Sequence, residues 1–179
     1  MPADVDDLQA RARGVRLLLL DVDGVLTDGT VSIDSIGGEA KQFFIRDGIS
    51  LIWARRAGVD AGLLSGRASN TTTRRAAELG ISIVWQGGSD KRIGYADIVA
   101  MHGYADKDVA YMGDDLVDLP VLSRVGLSAA PADAVDEVRT RVHWVSQHCG
   151  GRGAVRELVE LVLRAQGHWD PIVNSFLAP

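Results

Sequence analysis

Four leucines, Leu17 to Leu20, run directly into Asp21-Val22-Asp23-Gly24. The leucines read as a strand buried in a core, and the two carboxylates stand at its C-terminal end. Open α/β sheets bind their ligands outside that end of the strands. Two acids so close repel one another unless a cation or a proton lies between them. The pattern predicts a divalent-metal site with one carboxylate free to act as a nucleophile. The competing reading is a polar turn after a core strand. It is disfavoured because Asp fits strands poorly and is costly to bury at a strand end.

The rest of the chain alternates short apolar strands with helical patterns. Strands are expected over 15–20, 61–64, 81–85, 109–112, 127–129 and 142–145. Helices are expected over 49–57 with Asp47 as N-cap, 69–79 closed by Gly80, 90–101, 116–125, 132–140 and 154–165. Alternation of this kind argues for a doubly wound parallel sheet. One segment breaks it: Val31 and Ile33 alternate with polar residues, 36–39 turns the chain, and 40–45 returns with Phe43 and Ile45. That is a β-hairpin, spanning about 30–45, inserted after the first strand. The 179 residues fit one domain, 1–179, with a tail over 167–179 that is either flexible or docked onto a neighbour.

Composition narrows the function. The net charge is −5 and no basic block is present, so nucleic acid is not an expected partner. An acidic chain that handles a phosphorylated substrate needs local positive charge or metal. Cys149 is the only cysteine, which fits a reducing compartment and a small filler or an exposed thiol. The acidic N-terminus does not resemble a signal peptide, and no apolar run approaches a membrane span. A cytoplasmic location is expected, with no membrane partner.

Later strand ends carry chemistry that matches the first. Ser65 follows a strand, and Gly66 with the next helix start offers backbone N–H groups to an anion. Taken alone, Ser65 is as readily a turn residue. Lys91 sits in the first turn of an expected helix, where a cation opposes the dipole, so it is either aimed at phosphate or merely solvated. Gly113-Asp114-Asp115-Leu116-Val117-Asp118 places three carboxylates at another strand end, a donor set suited to magnesium. At least one of these acids is expected to cap the following helix. His102, His143, His148 and His168 lack metal spacing and read as structural or surface residues, and the four tryptophans as core or interface.

In this order, Asp21-x-Asp23, Ser65, Lys91 and Gly113-Asp114-Asp115-x-x-Asp118 resemble the four motifs of the haloacid-dehalogenase-like (HAD) phosphatases, over about 16–166. The chain looks most like the 3-deoxy-D-manno-octulosonate 8-phosphate phosphatase family within them. The supporting strings are 21–29, Phe43-Phe44-Ile45-Arg46-Asp47-Gly48, Ser65-Gly66-Arg67-Ala68-Ser69, 111–120, 150–157 and Ala165-Gln166-Gly167. The family more often has Thr at position 65, and Phe44 replaces a commonly polar residue.

The resemblance implies a HAD-like α/β fold and a mechanism. Asp21 attacks phosphorus to form an aspartyl phosphate, and Asp23 acts as acid and then base. Mg2+ binds Asp21, the backbone carbonyl of Asp23, and Asp114. Ser65 and Lys91 hold phosphate oxygens. Gly24, Ser65, Gly66, Arg67, Arg46 and Lys91 form the expected substrate-binding set. The two arginines are candidates for a sugar-acid carboxylate, or are surface or interface charges. Neither the 21-to-65 gap nor the 65-to-91 gap holds a cap domain, so the site is expected to be capless. The family's tetramers form through the hairpin, which implies that a neighbouring subunit covers the site; otherwise the hairpin folds back on its own domain.

The expected substrate is thus a phosphorylated eight-carbon sugar acid, on the route to lipopolysaccharide. Alternatives are a nine-carbon sialic-acid-like 9-phosphate, broad small phosphate esters, or a non-catalytic oligomerisation module.

Overall fold

The computed structural model describes residues 4–177. Eight strands are present: β1 (Leu17–Leu20), β2 (Ser32–Ile33), β3 (Glu39–Ala40), β4 (Asp60–Ser65), β5 (Ile83–Gln86), β6 (Val109–Met112), β7 (Leu127–Ala130) and β8 (Trp144–Val145). The helices are α1 (Val5–Gly14), α2 (Ile45–Arg56), α3 (Asn70–Glu78), α4 (Lys91–His102), α5 (Leu119–Leu122), α6 (Asp136–Arg139), α7 (Ala154–Ala165) and α8 (Trp169–Ser175). Six strands form one wholly parallel sheet in the order β5-β4-β1-β6-β7-β8, and β2 pairs with β3 as an antiparallel hairpin. The doubly wound α/β class and the hairpin insertion are as the sequence predicts.

β1 explains the leucine run. It lies between β4 and β6, and all four leucines are fully buried. Alternate side chains face opposite sides of a strand. Leu18 and Leu20 pack with α2 and α7 residues such as Leu51, Leu158 and Val162, whereas Leu17 and Leu19 pack with Tyr95, Val109, Val121 and Val138 on the other side. The chain winds from β1 through β4 to β5 on one side, then crosses back to β6 and on to β7 and β8 on the other. The resulting crevice at the strands' C-terminal ends is the place where such folds hold ligands. α7 buries Ala154, Val155, Leu158, Val159, Val162 and Leu163, an apolar stripe at helical spacing. Each buried Val or Leu contributes about 1.5–3 kcal/mol.

Several local expectations change. α2 begins at Ile45, so Phe43 and Ile45 are not the returning strand, and Asp47 lies inside the first turn rather than capping it. The Asp47 carboxylate is buried and instead accepts the N–H of Arg156 at 2.8 Å, which caps α7 from across the fold. Burial raises the Asp47 pKa above its ordinary value. The helix expected over 132–140 shortens to α6, partly because Asp133 uses its side chain to accept the Gly150 N–H at 2.9 Å.

α1 has no counterpart among the expected helices, since its sequence is mostly polar and brings only Ala12 and the partly buried Leu8 to the core. Over its described part, which ends at residue 177, the tail forms α8. Trp169 is buried in an edge-on contact with Trp53, ring centroids 6.0 Å apart, and Phe176 meets the same Trp53 at a tilt of 60° with centroids 5.7 Å apart. The Arg156 guanidinium lies 4.4 Å from the Trp53 ring and 5.0 Å from that of Trp169. Aromatic pairs and cation–π contacts of this kind each contribute about 1 kcal/mol beyond area burial. α8 therefore docks on α2 and α7 of its own chain.

Candidate active site

The sheet gathers Asp21, Ser65, Lys91 and Asp114 at the C-terminal ends of its strands. Asp21 is the first residue after β1, Ser65 the last of β4, Lys91 the first of α4, and Asp114 follows β6 by two residues. The Asp21 N–H continues the ladder by donating to the Met112 carbonyl at 3.0 Å, which fixes its side chain over the β1–β6 boundary. Carboxylate oxygens of Asp21, Asp114 and Asp118 all lie within 4.8 Å of one another, and the Asp21 and Asp114 carboxyls are within hydrogen-bonding reach.

Gly24 makes room for this cluster. Its φ of +97° is a left-handed conformation that favours glycine, and an added Cβ would stand 2.1 Å from Asp114 Oδ2. Its N–H faces Thr27 Oγ1 at 3.4 Å, so the visible task of Gly24 is to admit Asp114.

Electrostatics fit a site built for a cation. Burial raises the Asp21 pKa to about 6; Lys91 opposes that shift and Asp118 adds to it. Burial, then the negative charges of Asp21 and Asp118, raise Asp114 to about 8. Oδ1 of Asp114 is buried and has no hydrogen-bond partner among the described residues. Such an orphaned oxygen is costly unless a ligand meets it. These hard oxygen donors suit Mg2+, which asks for one or two carboxylates and otherwise keeps water.

Asp118 belongs to the cluster in a different way. It is fully buried, and both its oxygens are taken. Oδ1 lies 2.5 Å from Lys91 Nζ and accepts the Tyr111 hydroxyl at 2.6 Å, and Oδ2 accepts the N–H groups of Asp114 and Asp115 at 2.9 and 3.1 Å. Asp118 ties the Asp114 loop to Lys91 instead of offering a free oxygen. Lys91 also reaches Asp21 Oδ1 at 2.8 Å. Burial alone works against its ammonium, but Asp21 and Asp118 outweigh that and raise its pKa. Asp115 is exposed and caps the short 3-10 turn over 116–118 through the Leu116 N–H.

The phosphate and sugar candidates separate. Ser65 is buried beside the cluster's strand, its hydroxyl bonded to the Arg67 backbone at both N–H and carbonyl. α3 starts four residues beyond Gly66 and is capped by Ser69, so Gly66 sits in the connecting loop and not on a helix end. Arg67 is ion-paired through Nη2 to Glu39 Oε2 at 2.7 Å, at the root of the hairpin. Arg46 is not brought to the Asp21 cluster. It is exposed and lines a groove of about 690 Å³ with Phe44, Trp53, His148, Arg152 and Arg156.

Three residues near the site escaped sequence reasoning: Tyr111, Glu39 and Lys41. A tyrosine inside a strand of otherwise apolar residues was the one available signal for the first. Glu39 and Lys41 have no local signature, because their partners lie about the fold and not along the chain.

Fold and site together define the class. Residues 62–158 match the model of the haloacid dehalogenase-like hydrolases. Relatives narrow this further. The chain is 43% identical to the 3-deoxy-D-manno-octulosonate 8-phosphate phosphatase of Escherichia coli K12 over 92% of this chain and 87% of that one. It is similar to the crystal structure of the Yersinia pestis enzyme of that name, with TM-score 0.91 and 41% identity over 92% of this chain and 89% of that chain. A Moraxella catarrhalis phosphatase of the same name, crystallised with magnesium, phosphate and the sugar acid, superposes with TM-score 0.94 at 34% identity, covering 97% and 99%. The chain belongs to the 3-deoxy-D-manno-octulosonate 8-phosphate phosphatase family of HAD-like hydrolases.

Proposed function

We propose that this chain is a magnesium-dependent phosphomonoesterase that releases phosphate from 3-deoxy-D-manno-octulosonate 8-phosphate. The observation that carries the reading is the convergence of Asp21 and Asp114 around a buried oxygen without a partner, with Lys91 alongside. Asp21 and Asp114, with the backbone carbonyl of Asp23, are the residues that would hold Mg2+. When bound, the ion supplies positive charge that offsets the charge on the transferring group.

The chain's own residues then divide the work. A carboxylate oxygen of Asp21 forms a bond to phosphorus as the bond from phosphorus to the sugar oxygen breaks. Asp23 gives its proton to that departing oxygen. Water next attacks the aspartyl phosphate; Asp23 takes a proton from it, and the bond between Asp21 and phosphorus breaks. Asp23 is thereby recharged with the proton needed for the next leaving group. Lys91 and Ser65 steady phosphate oxygens, with Gly66 and Arg67 at the crevice mouth.

The hairpin supports assembly as well as its own domain. Its returning strand folds back onto α3 through Glu39 and Ser69, bonded at 2.6 Å, whereas Ile33, opposite Glu39, and Ile36 in the turn are 67% and 92% exposed. Exposed apolar strand edges pair with other chains, and a homo-oligomer, expected as a tetramer, is the reading they support. No helix among the described residues is long and apolar enough to cross a membrane.

The test is phosphate release with Mg2+ from a panel of esters, including the eight-carbon 8-phosphate and a nine-carbon 9-phosphate. The eight-carbon ester is expected to have the highest kcat/KM; a higher value for the nine-carbon ester overturns the substrate. Asp21→Asn is expected to abolish turnover with the oligomer intact by light scattering, and full turnover by that variant removes the nucleophile.

A further inference from the structure

We propose that Lys41 is a positioning residue for Asp23, holding the acid–base carboxylate at the angle its proton transfers need. The inference rests on the phosphatase reading above. Lys41 follows β3 directly, at the root of the hairpin, and its side chain is 0% exposed. Its Nζ donates to Asp23 Oδ2 at 3.0 Å and stands 2.7 Å from Oδ1, which is buried and has no hydrogen-bond partner among the described residues. Thr72 Oγ1 on α3 accepts a third contact at 3.4 Å. Among the described residues no other side chain hydrogen-bonds or ion-pairs with the Asp23 carboxylate, which is 25% exposed toward the crevice.

Three features separate this from an ordinary ion pair. First, burial fixes the geometry. An exposed Lys–Asp pair is loose and contributes little, but a lysine whose stem is wholly enclosed has lost its rotamers already and presents one ammonium position. Second, the same burial keeps Lys41 from touching substrate, so its influence must pass through Asp23. Third, the neighbouring acid is already engaged elsewhere. Glu39 Oε1 is 3.9 Å from Lys41 Nζ, yet Glu39 is bonded to Ser69 and paired with Arg67, which leaves Asp23 as the nearest anion. The hairpin root thus links Arg67, Glu39, Lys41 and Asp23 in one chain of charge contacts. It ties the crevice mouth to the proton-transfer group.

General acid–base groups work only within hydrogen-bond reach and at the right angle. A carboxylate in a turn, free to rotate about both its side-chain bonds, loses that angle when nothing holds it. Loss of Lys41 should therefore slow the steps that move a proton and spare those that do not. Lys41 itself exchanges no proton and forms no bond to phosphorus.

The experiment compares Lys41→Met, which fills the same space without charge, with the wild-type enzyme on two leaving groups. For the sugar phosphate, whose alkoxide needs a proton, kcat is expected to fall by about tenfold or more, with KM changed less than about twofold. For p-nitrophenyl phosphate, whose phenolate leaves without a proton, the first burst of nitrophenolate should keep its wild-type rate. Steady turnover should then slow, with phosphoenzyme accumulating on acid quench. In an Asp23→Asn background the same substitution should have no further effect, because residues acting as a unit are not additive.

Equal slowing of the burst, an unchanged kcat on the sugar phosphate, or an undiminished effect in the Asp23→Asn background overturns the role. If Lys41→Met does not fold by circular dichroism, Lys41→Gln carries the same comparison. Absence of sugar-phosphate turnover by the wild-type chain overturns the phosphatase reading instead, so the two failures are distinguishable.

Discussion

Asp118 is where stability and chemistry meet, and Asp118→Asn tests how. Four donors converge on its two oxygens: Lys91 Nζ and the Tyr111 hydroxyl on one, the N–H groups of Asp114 and Asp115 on the other. An asparagine keeps one acceptor and turns its NH2 toward two of those donors whichever way it faces. With NH2 toward the backbone, two buried N–H groups lose their partner, at about 1–3 kcal/mol each. In either orientation the neutral amide deprives the Lys91 ammonium of one of its two anions, and breaking a buried pair costs about 3–5 kcal/mol. The broken pair alone predicts a loss of at least about 3–5 kcal/mol in either orientation. For a chain of this length each kcal/mol moves Tm by about 2–4 °C, so Tm should fall by roughly 6–20 °C. The loop carrying Asp114 is released at the same time, so Mg2+ should bind more weakly. The assay is thermal melting with and without Mg2+, with Asp115→Asn as control. Asp115 is exposed and only caps a turn, a role Asn performs as well, so its change should stay within about 0.5 kcal/mol. A Tm for Asp118→Asn within about 2 °C of wild type would refute the hub.

Two further outcomes follow from the same cluster. Asp21 at about 6 and Asp114 at about 8 both stand above their ordinary 3.8, so the metal-free native state holds protons that the unfolded chain has released. Stability of the EDTA-treated protein should fall as pH rises from about 4 to about 8, and the Tm gain from Mg2+ should be larger near pH 8 than near pH 5; a gain independent of pH contradicts the assignment. Gly24→Ala forces a Cβ to 2.1 Å from Asp114 Oδ2 at a φ of +97°, so Mg2+ affinity by calorimetry should drop at least about tenfold, and wild-type affinity would show that Asp114 does not need that space.

What could be read from the sequence was local and repetitive. The leucine run and the alternation of strands with helices gave the sheet, and the carboxylates and serine after strands and the lysine opening α4 are the groups that the fold brings together. α7 kept its expected bounds, since its apolar stripe at helical spacing leaves little choice once a sheet lies beneath it. Polar side chains were harder, because one carboxylate serves equally as cap, ligand or tether. Asp47 was expected to cap its own helix and caps α7 instead, more than a hundred residues away. The tail's aromatics announced burial but not against what, and the hairpin's alternation ran longer on paper than its two-residue strands.

The sequence by itself therefore determined which groups arrive at the end of each strand, since period and burial follow from neighbours along the chain. Only the tertiary structure decided what each group faces there: Asp118 turned inward to Lys91, Lys41 enclosed beside Asp23, Arg67 held by Glu39. Those partners are chosen by packing between distant segments, and the energy of a buried charge depends on its surroundings in space and not on its position in the chain.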